Sequence, residues 1–541
     1  MKQQPWWRGA VIYQIYPRSF MDANQDGIGD LAGIVDKFPY IKSLGVDAVW
    51  VSPFFKSPMK DFGYDISDYR EIDPMFGSMA DFDRLITVAK ESGVKVIIDQ
   101  VLSHTSDQHA WFQQSRQDKS NDKADWYVWA DAKPDGTPPN NWLSIFGGSA
   151  WQWEPRREQY YLHNFLTEQP DLNFHNPEVR RHVLDNVEFW LKRGVDGFRL
   201  DAINFCFHDQ QLRDNPAKAS EDRKGRGFSE DNPYAYQYHH YDNTRPENLG
   251  FMEDIRALMD KYPGVVSLGE ISCEDSLKAM SDYTLGNKRL HMAYSFELLT
   301  KDFSPAYIRN TVQTLEANLT DGWPCWAIGN HDVTRVLSRW GQGNTSAQLA
   351  KMLNAMLLSL RGSVCTYQGE ELGLTEAEIA FEQLQDPYGI TFWPNFKGRD
   401  GCRTPMPWFE HQVNGGFSAG EQTWLPVPQE HRACAVDRQQ QAQDSLLSAY
   451  RQFVRWRKAH PELLYGDIEF IDAPDDILAF IRRDQDRALL CCFNFADRTS
   501  LMPLMSGMNL SALEGHGFQS LSQDNETLVL APHQAVFARL V

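Results

Sequence analysis

Residues 78–101 read SMADFDRLITVAKESGVKVIIDQV, and this stretch decides the fold. Ser78 and Asp81 make a capping box ahead of Phe82, Leu85, Ile86 and Ala89, which recur at helical spacing, and Gly93 supplies the stop. The run KVIIDQV (95–101) that follows shows no polar alternation. Near-continuous apolar residues mark a strand covered on both faces, as in a parallel sheet. A helix feeding a doubly buried strand is the repeating unit of an α/β fold.

Outward from this stretch the pattern repeats. Short apolar runs end in polar residues at VIYQIYP (11–17), AVWVSP (48–53), GFRLDA (197–202), VVSLGEI (265–271), AYSFEL (293–298), WAIGN (326–330) and SVCTYQG (363–369). A second helix is punctuated by Asn176 and Pro177 at its start and Gly194 at its end. With 95–101 these runs make eight strands, and the prediction is a (β/α)8 TIM barrel.

Two long insertions interrupt it. Residues 104–171 are polar, irregular and rich in tryptophan (111, 126, 129, 142, 151 and 153), and read as a small domain inserted after strand three. Residues 206–250 show little period; over the catalytic face of a barrel such a loop reads as a lid. Beyond 463 the runs ILAFIRR, ALLCCFNF, TLVLAP and AVFARLV predict a C-terminal antiparallel β domain. The expected division is a catalytic barrel at 1–103 and 172–462, an inserted domain at 104–171 and a C-terminal β-sandwich at 463–541.

The chain has 541 residues, with 53 Lys plus Arg against 73 Asp plus Glu and a formal charge of −20. That field disfavours nucleic acid and anionic lipid as partners. No apolar run is long enough to cross a bilayer, and the first residues lack the apolar core of a secretory signal, so the expectation is a cytoplasmic protein with a small neutral or cationic ligand. Eight cysteines without CxxC spacing read as reduced thiols.

Reactive groups of a barrel project from the C-terminal strand ends. Asp99, Asp201 and Glu270 fall there, Asp332 follows strand seven, and His104 and His331 lie beside them. Four acids are thus expected at one mouth. Arg199 and Asp201, two apart on a strand, share a face, so the cation is expected to keep Asp201 ionised as a nucleophile. Glu270 follows the apolar VVSL, where desolvation favours a protonated general acid. One charged and one neutral carboxyl about 5 Å apart is the arrangement for retaining glycoside hydrolysis.

The segments DQVLSH (99–104), GFRLDA (197–202), GEI (269–271) and NHD (330–332) resemble, in order and spacing, the signature regions of glycoside hydrolase family 13, the α-amylase superfamily. QPDLNF (169–174), FGYDISDY (62–69) and RTPMPW (403–408) resemble its α-glucosidase and oligo-1,6-glucosidase branch. The first region departs from the common pattern in carrying Ser103, where Asn often precedes the histidine. The resemblance implies Asp201 as nucleophile, Glu270 as acid/base and Asp332 as the third acid. It implies His104 and His331 on sugar hydroxyls, Asp61 and Arg403 at the non-reducing end, Tyr64 stacked on the ring, and Arg199 and Ala202 beside the substrate. Relatives that cleave α-1,6 bonds tend to carry Val after the nucleophile, so Ala202 points to α-1,4 linkages.

Asp22, Asn24, Asp26, Ile28 and Asp30 alternate around Gly27 and Gly29. Such a turn of oxygen donors suits a structural Ca²⁺, and equally an Asx turn without metal; similar loops in this enzyme branch bind Ca²⁺. Position 33 is Gly, not the bidentate Glu of an EF-hand. No organic cofactor is expected. The leading expectation is a retaining, exo-acting α-glucosidase on short α-glucosides. A transglucosylase or disaccharide isomerase of the same superfamily is the alternative among enzymes, and a non-catalytic transporter-partner module the alternative outside them.

Overall fold

The computed structural model describes residues 4–223, 228 and 231–541. Its centre is a parallel sheet of eight strands: β1 (Val11–Ile15), β2 (Ala48–Val51), β3 (Lys95–Val101), β4 (Gly197–Asp201), β5 (Val266–Ile271), β6 (Met292–Ser295), β7 (Cys325–Trp326) and β8 (Ser363–Tyr367). They run in the order β6-β5-β4-β3-β2-β1-β8-β7. A parallel bridge from Ala293 to Pro324 joins the two ends and closes the barrel. All eight predicted runs are barrel strands.

Side-chain alternation explains why both faces are apolar. Ile12, Trp50, Ile97, Leu268, Met292 and Cys365 fill the interior, while Val11, Tyr13, Val49, Val96 and Phe198 face the helices. The helix Met79–Ser92 starts at the predicted Ser78/Asp81 capping box and stops at Gly93, whose φ of 74° is left-handed. In Pro177–Lys192 the Asn176 side chain accepts from the Glu178 N–H, with proline in the first turn.

The segment inserted after β3 holds a three-stranded antiparallel sheet, with Gln159–Leu162 between Trp129–Ala130 and Trp151–Glu154. Trp142 and Trp151 stack in its core, ring centroids 5.8 Å apart. Of the long stretch 206–250 read as a lid, residues 224–227 and 229–230 lie outside the described residues. Parts of the remainder reach the insertion: Trp142 donates to the Arg213 carbonyl at 2.9 Å and Asn232 to the Ile145 carbonyl at 2.6 Å.

The C-terminal region has a five-stranded and a three-stranded antiparallel sheet enclosing Ile477, Ala479, Leu490, Met502, Leu528 and Leu530. Arg482, fully buried, ties it to the barrel through the carbonyl of Ser359 at 2.7 Å. Among the described residues no helix is long and apolar enough to cross a membrane.

Candidate active site

The cavity at the C-terminal mouth of the barrel has an acidic floor of Asp61, Asp201, Glu270 and Asp332, flanked by Tyr64, His104 and Arg399. Its upper wall is apolar. Ile145, Phe146 and Phe165 come from the insertion, Phe205 and Phe228 from the segment after β4, Phe296 from the turn after β6, and Tyr388 from the segment after β8. None of the insertion's tryptophans lines it. Asp99 does not belong to the mouth as expected. It is fully buried one layer below, accepting from Trp50 Nε1 at 3.0 Å and Tyr64 Oη at 3.1 Å.

Arg199 also lies beneath the cavity rather than at the substrate, and is fully buried. One of its terminal nitrogens donates to Asp99 Oδ1 at 2.9 Å and Asp201 Oδ1 at 2.6 Å, and the other to Glu270 Oε1. The guanidinium sits 4.7 Å over the Trp50 ring. One cation thus grips one oxygen of each catalytic carboxyl from below. Among the described residues Asp201 Oδ2 has no hydrogen-bond partner, and the backbone N–H of Ala202 donates to Glu270 Oε2 at 3.0 Å.

The electrostatic outcome differs from the expectation that Arg199 alone would keep Asp201 readily ionised. Burial pushes Asp201 up to about 7 against the pull of Arg199, and Glu270, for the same first cause with the charges of Asp201 and Asp332 added, up to about 8. Asp332 goes the other way. Burial would raise it, but His331 and the guanidiniums of Arg399 and Arg403 outweigh that and hold it below the ordinary carboxylate range.

Arg399 is the partner of Asp61, at 2.8 Å; it also reaches Asp332 at 3.2 Å and Asp386 at 2.9 Å. Arg403, expected with Asp61 at the non-reducing end, donates to Asp332 at 3.0 Å and to the His331 carbonyl at 2.7 Å. His331 is not on the cavity wall. It lies between Tyr64 and Tyr16, stacked at 5.3 and 5.5 Å, with Nε2 2.6 Å from Tyr64 Oη. Tyr64 therefore lines the cavity with its ring backed by a histidine. His104 is held by the Tyr64 carbonyl at 3.0 Å and by Ser103 Oγ at 3.0 Å from Nδ1, so serine makes a contact to the ring at the position where the pattern departs.

Sequence reasoning missed Arg399, four residues before Arg403 in GRDGCRTP. It also missed Gln169, which donates to Asp61 Oδ2 at 3.1 Å and sits at the head of the quoted QPDLNF. The phenylalanines of the upper wall lie in loops where no period distinguishes a cavity wall from a core.

The 22–30 loop stands apart from this cavity. Asp22 accepts from the N–H groups of Gln25 and Gly27 at 2.6 and 2.8 Å, Asn24 from Asp26 at 3.0 Å, and Asp26 from Ile28 at 2.9 Å. Asp30 accepts from Ala23, Asn24 and Gly33 at 3.0, 3.2 and 2.6 Å. The Asn24 and Asp26 bonds close Asx turns, the Asp30 bond to Gly33 caps the following helix, and the others tie the loop across itself. Among the described residues no group of three or more His, Cys, Asp or Glu is placed to hold a metal ion.

The model of the α-amylase catalytic domain matches residues 14–466, from β1 to the last helix before the C-terminal sheets. The chain belongs to the α-amylase family. It is a glycoside hydrolase. This family member is 54% identical over 538 residues to a probable alpha-glucosidase of Rhizobium meliloti (strain 1021), covering 99% of this chain and 97% of that one. It is 37% identical over 532 residues to an oligo-1,6-glucosidase of Heyndrickxia coagulans, covering 91% and 93%. The crystal structure of an alpha-glucosyl transfer enzyme, XgtA, matches it with a TM-score of 0.98 at 63% identity over the whole of both chains.

Proposed function

We propose that this chain is an exo-acting α-glucosidase that retains anomeric configuration through a covalent glucosyl-enzyme intermediate. The observation behind this reading is that Asp201 and Glu270 face one cavity from adjacent strands, gripped by one arginine. In this reading Glu270 protonates the glycosidic oxygen while Asp201 attacks the anomeric carbon, and Glu270 then removes a proton from the incoming water. Asp332, held ionised, would stabilise the positive charge that develops at the sugar ring.

Exo action follows from the buried network of Asp61, Arg399 and Asp332, which shuts one side of the cavity with charge that a terminal sugar's hydroxyls can satisfy. The α-1,4 preference rests on Ala202, whose methyl on the cavity wall leaves room that a bulkier residue would occupy. The test is the anomer of glucose first released from an aryl α-glucoside, whose leaving group contributes no second glucose. α-Glucose is expected; β-glucose would overturn the retaining mechanism, and no glucose the α-glucosidase reading itself.

The likeness to an alpha-glucosyl transfer enzyme and the phenylalanine wall favour a second outcome, in which a sugar or alcohol hydroxyl takes the glucosyl group in place of water. Product analysis at high acceptor concentration separates the two. A structural Ca²⁺ at Asp22, Asn24, Asp26, the Ile28 carbonyl and Asp30 also belongs to this reading. All five donors are hard oxygens, and a carboxylate oxygen that accepts one N–H keeps a second lone pair. Burial, with a contribution from the charge of Asp22, raises the Asp30 carboxyl, a cost that a cation would relieve.

A further inference from the structure

Glu270 and Tyr294 are register partners on β5 and β6, and the hydrogen bonds around them leave a single arrangement of protons. Tyr294 Oη lies 3.2 Å from Arg199 Nε, 3.0 Å from a terminal nitrogen of the same guanidinium, and 3.0 Å from Glu270 Oε1. A guanidinium only donates. The phenolic oxygen accepts from it, and its one hydrogen must point at Glu270 Oε1. That oxygen also accepts from Arg199, so both its lone pairs are used. Oε2 accepts one bond, from the Ala202 N–H, and has one position left.

We propose that Tyr294 is a positioning residue that fixes the transferable proton of Glu270 on Oε2. The Ala202 N–H that orients Oε2 comes from a peptide held in the left-handed region (φ 40°, ψ 44°) immediately after the nucleophile, so the turn that follows Asp201 also aims its catalytic partner. In the first step the Oε2–H bond breaks and the proton joins the glycosidic oxygen. The bond from that oxygen to C1 breaks with its electron pair going to oxygen, and Asp201 Oδ2 forms the new bond to C1. In the second step water bonds to C1, the Asp201–C1 bond breaks, and the water proton returns to Oε2. The charged and titratable groups facing Glu270 are Arg199 and Asp201 from β4, Tyr294 from β6 and Asp332 after β7, with Asp99 of β3 acting through Arg199. Only Tyr294 among them donates a neutral hydrogen bond.

This inference rests on the α-glucosidase reading, and the test separates the two. Tyr294→Phe is compared with the unaltered enzyme on maltose, whose leaving group needs a proton, and on α-glucosyl fluoride, whose leaving group needs almost none. With Oε1 free to compete for the proton, kcat/KM on maltose should fall about tenfold or more, within the range that general acid catalysis supplies, and on the fluoride by less than about threefold. Loss of a donor to the carboxylate should also move the alkaline limb of the maltose profile to higher pH. A ring-fluorinated tyrosine at 294, the same shape with a more acidic hydroxyl, should move that limb to lower pH. Equal losses on both substrates, or limbs that stay in place, would overturn the proposal while leaving the α-glucosidase reading intact. An unaltered enzyme that releases no glucose from maltose would instead overturn that reading.

Discussion

Two clusters of aspartates and glutamates in this protein differ in what their oxygens face. At the barrel mouth Asp201, Glu270 and Asp332 are bound by arginine, tyrosine and histidine side chains. In the loop 22–30 Asp22, Asp26 and Asp30 are bound by backbone N–H groups. The first set is displaced in both directions, with Asp201 and Glu270 pushed up and Asp332 held down, because each site balances burial against nearby charge differently. The second set defines the course of a chain. A carboxylate whose partners are backbone amides holds a shape, whereas one whose partners are charged side chains in a dry cavity has its proton affinity set for chemistry.

The largest expected effects test the first half of that contrast. Asp201→Asn should lower kcat on maltose by about 10⁴-fold or more, and Glu270→Gln by about 10² to 10⁴-fold, each with circular dichroism and thermal unfolding close to those of the parent. Near-normal turnover in either variant would place the chemistry elsewhere. The pH profile sharpens the same point. Asp201 must be ionised to attack, so activity is lost as pH falls through its ionisation near about 7. Glu270 must be protonated, so activity is lost as pH rises through about 8. The coupled pair should give a narrow bell in kcat/KM for maltose, and a plateau reaching down to pH 5 would show that Arg199 outweighs burial after all.

Next in size is the arginine that sequence reading did not single out. Arg399→Met strips a charge from a network holding Asp61, Asp332 and Asp386, and should lower kcat/KM about a hundredfold, since truncating one member of a buried charge pair costs about 2 to 5 kcal/mol. Steady-state kinetics on maltose check it against Arg403→Met, which leaves the Asp61 pair intact. If Arg403→Met raises KM while Arg399→Met does not, the sugar's non-reducing end is held by Arg403 and not through the Arg399 network.

These two arginines show where the sequence was legible and where it stopped. Eight strands could be read because parallel strands buried on both faces leave uninterrupted apolar runs, and Asp201, Glu270 and Asp332 followed from the barrel rule without any contact being known, whereas Asp99, two residues short of its strand's end, did not. Arg399 and Arg403 sit in a loop, and which of them reaches Asp61 is decided by the short 3-10 turn Asp400–Cys402 between them, a geometry that leaves no period. Tyr294 was hidden for the opposite reason. It lies inside an apolar strand and reads as core, which it also is, being 1% exposed. In the C-terminal domain the strands Leu510–Ala512 and Gln523–Asp524 escaped because they are short and solvent-facing.

A smaller effect is expected at Ala202. A β-branched side chain at φ 40° is strained by about 1 to 3 kcal/mol, and it would also narrow the space for the leaving sugar. Ala202→Val should shift the maltose-to-isomaltose ratio of kcat/KM toward isomaltose by about tenfold or more, the discrimination available to a methylene-sized change. Initial rates on the two disaccharides decide it. An unchanged ratio would remove Ala202 from the determinants of linkage.

The smallest effect concerns the second cluster and tests whether its shape is held by amides alone. The loop packs on a distant segment, Asp22 N–H donating to the Phe417 carbonyl at 3.0 Å and Trp424 N–H to that of Gly27 at 3.0 Å, so an ion there would fasten the first barrel loop to residues 417–424. Chelation with EDTA should then lower Tm, restored by Ca²⁺ but not by Mg²⁺, which dehydrates reluctantly and demands a tighter octahedron. Asp26 is the informative position because among the described residues its side chain accepts only from the Ile28 N–H, and it is exposed. Asp26→Asn keeps that acceptor and removes a charge, so Tm without calcium should barely move, within about 0.5 kcal/mol of stability, while the response to calcium disappears. If chelation leaves Tm unchanged in the parent protein, the Asx turns suffice, and the two acidic clusters differ in that only the one at the mouth has charge for a partner.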